Sequence, residues 1–256
     1  MHKTLVNVIC AFVPKRKCRH RLRNKLLSRF QKTGLVNPNF IVSGQNNKLI
    51  LIDEQGNEKP MTTNIPGMRI NVQGDNNTIR IHLPIICRNC FIGIRNNNAY
   101  VELGSTKGPF DMRLFIQSGI SQKFIMKKNT TMRGVDVVLT EQSQCFIGED
   151  CMFADKILFH CADDHSVLDV KTGEVLNRAD APLIIGNHVW IAEWARLTKN
   201  THIYDNSIVA CGAVACKDYK ESGVVIAGNP GQIVKKGITW SRLNPYDIQK
   251  QKENKK

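Results

Sequence analysis

From Ile185 onward an aliphatic residue returns at every sixth position: Ile185, Ile191, Leu197, Ile203 and Val209, with Ala215 keeping the phase. A helix repeats its apolar face at three and four residues and a strand at two, so neither a single helix nor one long strand produces a sustained six. The chain must make a fixed turn after each short strand. The position four after each aliphatic residue is small or short, namely Val189, Ala195, Thr201, Ser207 and Ala213, as the inside of a tight corner requires. The pattern predicts stacked hexapeptide coils, a parallel β-helix.

The same phase holds at Ile147, Phe153 and Phe159, and it places Cys145 and Cys151 at corner positions as small packing residues. After Phe159 the phase breaks and restarts at Ile185, so the stretch 165–184 must leave the coil as an inserted loop. Loops that project from a rigid scaffold are where chemistry is usually placed. Upstream, over 34–146, the period is looser. Asn-rich turns at 46–47, 76–77 and 97–98 precede short alternating strands, which reads as irregular coils of the same kind. Residues 55–66 read as a loop and 106–110 as a turn or small excursion. The coil region proper is 147–239, and the polar, Lys-rich stretch 240–256 reads as a short helix and a tail.

Charge is concentrated at one end. The net charge is +14, and residues 1–33 supply Lys3, Lys15, Arg16, Lys17, Arg19, Arg21, Arg23, Lys25, Arg29 and Lys32 with no acidic residue. An apolar run at 5–13 precedes these charges, too short to span a bilayer and in the wrong order for a secretory signal. Leu22, Leu26, Leu27 and Phe30 fall on one helical face. This basic amphipathic arm suits either an anionic membrane surface or a cap over the end of the coil. The nine cysteines, without a signal, point to a reducing compartment and a cytoplasmic protein in which thiols pack as small apolar residues. The Cys-X-X-Cys at 87–90 has no second pair to complete a zinc site.

The runs His-Val-Trp-Ile-Ala at 188–192, Val-Ala-Cys-Gly-Ala-Val at 209–214, Lys-Asp at 217–218 and Ala-Gly-Asn-Pro-Gly at 227–231 resemble the hexapeptide-repeat acyltransferases. The likeness covers about 147–236 and is closest in style to the maltose, galactoside, sialic acid and capsule O-acetyltransferases. It implies an all-β, left-handed parallel β-helix shaped as a triangular prism and working as a homotrimer. It further implies acetyl-CoA as donor, held between neighbouring prisms, and a sugar or polysaccharide hydroxyl as acceptor. In such enzymes the histidine at the base of the extended loop is the catalytic base, which by position is His165, and a tryptophan of the next coil, Trp190, lines the thioester site. The backbone near Trp190 would supply the oxyanion donor. Matched positions place the cofactor against Trp190, Glu193, Cys211, Cys216, Lys217, Gln232 and Lys235. Two depart from the usual residues, since Glu193 stands for a common Gly and Cys216 for a common Thr.

A histidine suits the chemistry. A sugar hydroxyl is a poor nucleophile at neutral pH, and an imidazole can take its proton as the oxygen attacks the acetyl carbonyl. Asp163 or Asp164, immediately before His165, could hold the ring's tautomer or contact the acceptor. Other readings are an N-acetyltransferase of nucleotide-sugar synthesis, a zinc carbonic anhydrase-like protein and a polyanion-binding scaffold. The pair His160 and His165 resembles the zinc ligands of the carbonic anhydrases that share this fold, whose third histidine lies about two coils upstream; no histidine lies between His82 and His160 here, so no metal is expected. No nucleic-acid motif or aromatic platform accompanies the basic arm, so nucleic acid is not expected as a partner.

Overall fold

The structure is a computed structural model that describes residues 39–62 and 64–254. The basic arm, 1–33, lies outside the described residues. Two compact units are distinguished, Met1–Ile41 and Val42–Lys256, and the second carries the fold.

The strand series opens with β1 (Phe40–Ser43) and winds into three parallel faces. One face stacks β6 (Ile86–Cys87), the opening residues of β9 (Pro109–Gly119) and β11 (Thr131–Glu141), then β13 (Met152–Phe153), β16 (Trp190–Ile191), β19 (Ile208–Val209) and β21 (Val225–Ala227). A second stacks β4 (Met68–Gln73), β7 (Cys90–Ile94), the remainder of β9 and β11, β14 (Ile157–His160), β17 (Arg196–Thr198) and β20 (Val214–Ala215). The third stacks β2 (Lys48–Ile52), β5 (Thr78–His82), β8 (Tyr100–Leu103), β10 (Lys123–Met126), β12 (Gln144–Ile147), β15 (Leu183–Ile185) and β18 (His202–Ile203). This is the left-handed parallel β-helix that the hexads and the family likeness imply.

Each face buries ladders of apolar side chains. On the third face Ile81, Leu103, Met126, Ile147, Ile185 and Ile203 lie in register and are buried; on the second, Ile92, Leu114, Val137, Phe159, Leu197 and Ala215 do the same. The corner residues Val189, Ala195, Thr201, Ser207 and Ala213 are all fully buried. The turn itself falls on the residue before each of these, where His188, Trp194, Asn200, Asn206 and Gly212 have φ between 52° and 69°. Asn and Gly adopt this left-handed conformation readily, whereas an L-residue as bulky as Trp194 pays for it. Gly148 has a different reason to be glycine: a Cβ there would stand 2.4 Å from the carbonyl oxygen of Gly186 in the next coil.

Several local expectations are corrected. Residues 58–60 of the expected loop form β3 (Glu58–Pro60), which pairs antiparallel with β2. Pro109 and Phe110, expected in a turn, open β9, because Phe110 enters the buried ladder between Cys87 and Met132. Cys145 is in strand β12, in register with Leu183, and only Cys151 takes a corner. After β21 the chain doubles back as β22 (Gln232–Lys235), and the helix α1 (Pro245–Glu253) follows, capped by Asn244, whose side chain accepts from the Asp247 N–H at 2.9 Å. Among the described residues no helix is long and apolar enough to cross a membrane.

Candidate active site

The inserted segment leaves after β14 and rejoins at β15, so it occupies 161–182 where the broken phase suggested 165–184. Its arms meet at an antiparallel bridge between Leu168 and Val175. At its root lies a cleft of about 470 Å³ built from three successive coils. Ser118, Gly119 and Ile120 come from the end of β9; Thr140, Glu141 and Gln142 from the end of β11; Asp163, Asp164, His165, Ser166, Val175, Asn177 and Arg178 come from the loop. The long strands β9 and β11 overrun their corner and so raise this wall beside the loop.

His165 is exposed on the rim. Neither preceding aspartate bonds to its ring. The Asp163 carboxylate accepts hydrogen bonds from Lys199 Nζ and from Asn177 Nδ2, the latter at 2.6 Å, and Asp164 lies 3.5 Å from His160 Nε2. The Lys199 hydrogen bond, working against a burial cost and helped by Asn177, holds the Asp163 carboxyl below its ordinary value. The same Asn177 Nδ2 donates to the His165 carbonyl at 2.9 Å, and Asn177 Oδ1 accepts from the Val167 N–H at 2.7 Å. The backbone carrying His165 is therefore pinned, and the residue is exposed where it lines the cleft. Asp163 anchors the loop, and Lys199 and Asn177 are the anchoring partners that sequence reasoning missed. Lys199 follows Leu197 in an ordinary corner, and nothing in its spacing marks it.

Trp190 does not line this cleft. It lies on the face of β16, half-buried, in register with Met152 and Ile208, with its ring 6.2 Å from that of Trp240. Its N–H donates to the Ser207 carbonyl at 3.0 Å and that of Ala192 to Val209 at 2.9 Å, so these two amides are committed to the ladder rather than available to an oxyanion. The other cofactor candidates form two groups, also outside the cleft. Glu193 and exposed Cys211 occupy equivalent corners of consecutive coils, joined through the Gly212 N–H to the Glu193 carbonyl at 3.0 Å; the Glu193 carboxylate is 3.6 Å from Lys156. Cys216, also exposed, precedes Lys217, whose Nζ is 2.7 Å from Gln232 Oε1, and Lys235 closes β22. Within one chain, Trp190, Glu193 and Cys211 thus stand apart from the candidate base, whereas Cys216 and Lys217 follow β20, on the same stack as β14, from which the loop departs. Among the described residues no three His, Cys, Asp or Glu side chains gather so as to hold a metal ion.

Over 126 residues, 49% of this chain, the sequence is 27% identical to the polysialic acid O-acetyltransferase of Escherichia coli O1:K1 / APEC. The homologues and structural neighbours are hexapeptide-repeat acetyltransferases. The matched stretch spans 40% of the length of that relative. The crystal structure of the polySia-specific acetyltransferase NeuO superposes with a TM-score of 0.69 and 23% identity, covering 86% of this chain and 98% of that one. The polysialic acid O-acetyltransferase OatWY gives 0.50 and 22%, over 84% and 98%. At such identities the two structures establish the fold. No protein-family model matches the sequence.

Proposed function

We propose that the chain is an acetyl-CoA-dependent O-acetyltransferase acting on a sugar hydroxyl of a capsule, lipopolysaccharide or related glycan. The observation that carries this reading is His165, exposed on the cleft and held by its backbone at the root of the inserted loop. The similarity to a polysialic acid O-acetyltransferase over 126 residues supports it. In the reaction, an imidazole nitrogen of His165 takes the acceptor's hydroxyl proton as that oxygen attacks the thioester carbonyl. The tetrahedral adduct collapses, the carbon–sulfur bond breaks, and the imidazolium returns the proton to the CoA thiolate. No acetyl-enzyme is required.

The donor binds along Trp190, Glu193, Cys211, Cys216, Lys217, Gln232 and Lys235. Because Trp190, Glu193 and Cys211 stand away from the corner that carries His165, a homotrimer in which one protomer presents His165 to its neighbour's Trp190 completes the site. An anionic acceptor suits the net charge of +14. A second cleft of about 440 Å³ adds Arg113, Arg133, Lys156 and Arg196 beside Asp111, Asp136 and Asp155. The protein works in the cytoplasm, with residues 1–33 docking it on the inner face of the membrane. CoA release measured against a panel of neutral sugars, amino sugars and sialic acid polymers tests the reading. Release with hydroxyl acceptors is expected; release only with amino sugars would reassign it to N-acetylation.

A further inference from the structure

Beyond β22 the chain crosses back over the prism, and two residues, Trp240 and Arg242, are tied to one corner column. The Trp240 ring lies flat on His188, with centroids 4.2 Å apart and planes 7° from parallel, and its Nε1 donates to the His188 carbonyl at 2.7 Å. Arg242 spreads over the neighbouring coil. It donates to Thr131 Oγ1 and to the Cys151 carbonyl, both at 2.9 Å, and stands 3.3 Å from the Asp150 carboxylate. Trp240 ends only 8% exposed although it belongs to no strand or helix, and Trp190 and the Arg242 guanidinium are its further ring neighbours.

His188 closes this arrangement from the prism side. Its Nδ1 is 3.0 Å from Asp150 Oδ2 and its Nε2 is 3.0 Å from the Trp240 carbonyl oxygen. A carboxylate and a carbonyl can only accept, so both bonds form together only when both ring nitrogens carry hydrogen; a neutral imidazole keeps one and loses the other. Asp150 approaches the ring from the preceding coil, and Arg242 of the returning segment pairs with that same carboxylate.

We propose that residues 240–242 form a clamp that fixes Trp190, and that protonated His188 locks it, which makes Trp240 and His188 positioning residues for the acetyl donor. The last step rests on the role proposed above for Trp190; the clamp itself does not. Although burial pushes the Asp150 carboxyl up, the His188 hydrogen bond and the Arg242 charge hold it below its ordinary value. The Asp150 contribution is therefore present above the ordinary carboxylate range and lost as the pH falls through the lowered value. With a neutral ring one of the two His188 bonds is lost, so the clamp is tightest when both ring nitrogens carry hydrogen.

The test uses the full chain with Trp194→Phe, which leaves Trp190 and Trp240 as its fluorophores. Acrylamide quenching and acetyl-CoA affinity are followed from about pH 6 to about pH 8.5, where a histidine changes charge. Raising the pH is expected to increase quenching and to weaken acetyl-CoA binding about tenfold, the size of one hydrogen bond to a charged group. His188→Gln should show the open signal throughout, and Arg242→Lys should restore part of what Arg242→Ala loses. Quenching that does not respond to pH overturns the clamp, and this series needs neither acetyl-CoA nor a variant that folds poorly. Quenching that responds while acetyl-CoA affinity stays flat overturns the positioning role. Acetyl-CoA bound at no pH overturns the proposed function and the positioning role with it, while the quenching still decides the clamp.

Discussion

Asn177 closes the inserted loop onto Asp163: its Nδ2 lies 2.6 Å from the carboxylate oxygen and donates as well to the His165 carbonyl at 2.9 Å. Lys199, from the corner after β17, donates to the same carboxylate and, at 2.5 Å, to the Asn177 carbonyl. One part-exposed cluster thereby sets where His165 stands. In Lys199→Ala we expect proteolysis within the loop to speed up and acetyl transfer to fall by up to about a hundredfold, as displacement of a catalytic group by an ångström can do. The melting temperature should barely move, because a screened pair of this kind adds little to global stability. The Asp163 carboxyl is held low, so the tie is present above the ordinary carboxylate range and is lost as the pH falls through the lowered value. Acid should therefore open the loop of the wild-type protein before it unfolds the prism; simultaneous loss of both would contradict the anchor.

His165→Ala should keep the fold and acetyl-CoA binding but lose roughly two to four orders of magnitude in turnover, the usual contribution of a general base. Wild-type turnover with saturating acceptor would remove His165 from the mechanism. Rapid quenching should trap no acetyl group on Cys211 or Cys216, although both are exposed. Prolonged dialysis against a chelator should leave the rate unchanged, since no step calls on a metal.

The prism was legible because its period is set by what faces inward. Ile185, Ile191, Leu197, Ile203 and Val209 are buried for the same geometric reason, so one face after another writes the same letter into the sequence. The site is written differently. Lys199 meets Asp163 across 36 residues, and Arg242 meets Asp150 across 92, because stacked coils bring distant residues together with no periodic trace. His165 was found through the broken phase and the family likeness. Asn177, Lys199 and Trp240 carry no such mark. Cys145 was misplaced because a spacing of six alone does not distinguish an inward strand position from a corner, and β12 continues back past Ile147 to include it.

Stacking also predicts where the scaffold is brittle. Leu197→Ala removes a fully buried rung between Phe159 and Ala215 and should cost about 2–5 kcal/mol in urea or thermal unfolding. Gly148→Ala has nowhere to relax, since its new Cβ would meet the Gly186 backbone rather than a movable side chain. It should be at least as damaging even though it adds a single methyl group. A Gly148→Ala protein as stable as wild type would mean that successive coils at this corner can separate, which the shared ladder argues against.

The arm yields the most consequential prediction for where the protein works. Residues 1–33 hold ten basic residues and no acidic one, and each charge near an anionic bilayer contributes on the order of 1 kcal/mol. Deleting them should abolish sedimentation with anionic vesicles, while activity on a small soluble acceptor persists, because His165 and its anchors belong to coils far along the chain. Salt should weaken binding of the intact protein, since surface charges are screened within about 10 Å at 0.1 M ionic strength. If the arm instead caps the coil, removing its Leu22, Leu26 and Phe30 face would expose a strand edge and give insoluble protein. A soluble, active truncation that still sediments with the vesicles would assign membrane contact to the prism itself, and the arm would then need another purpose for its charge.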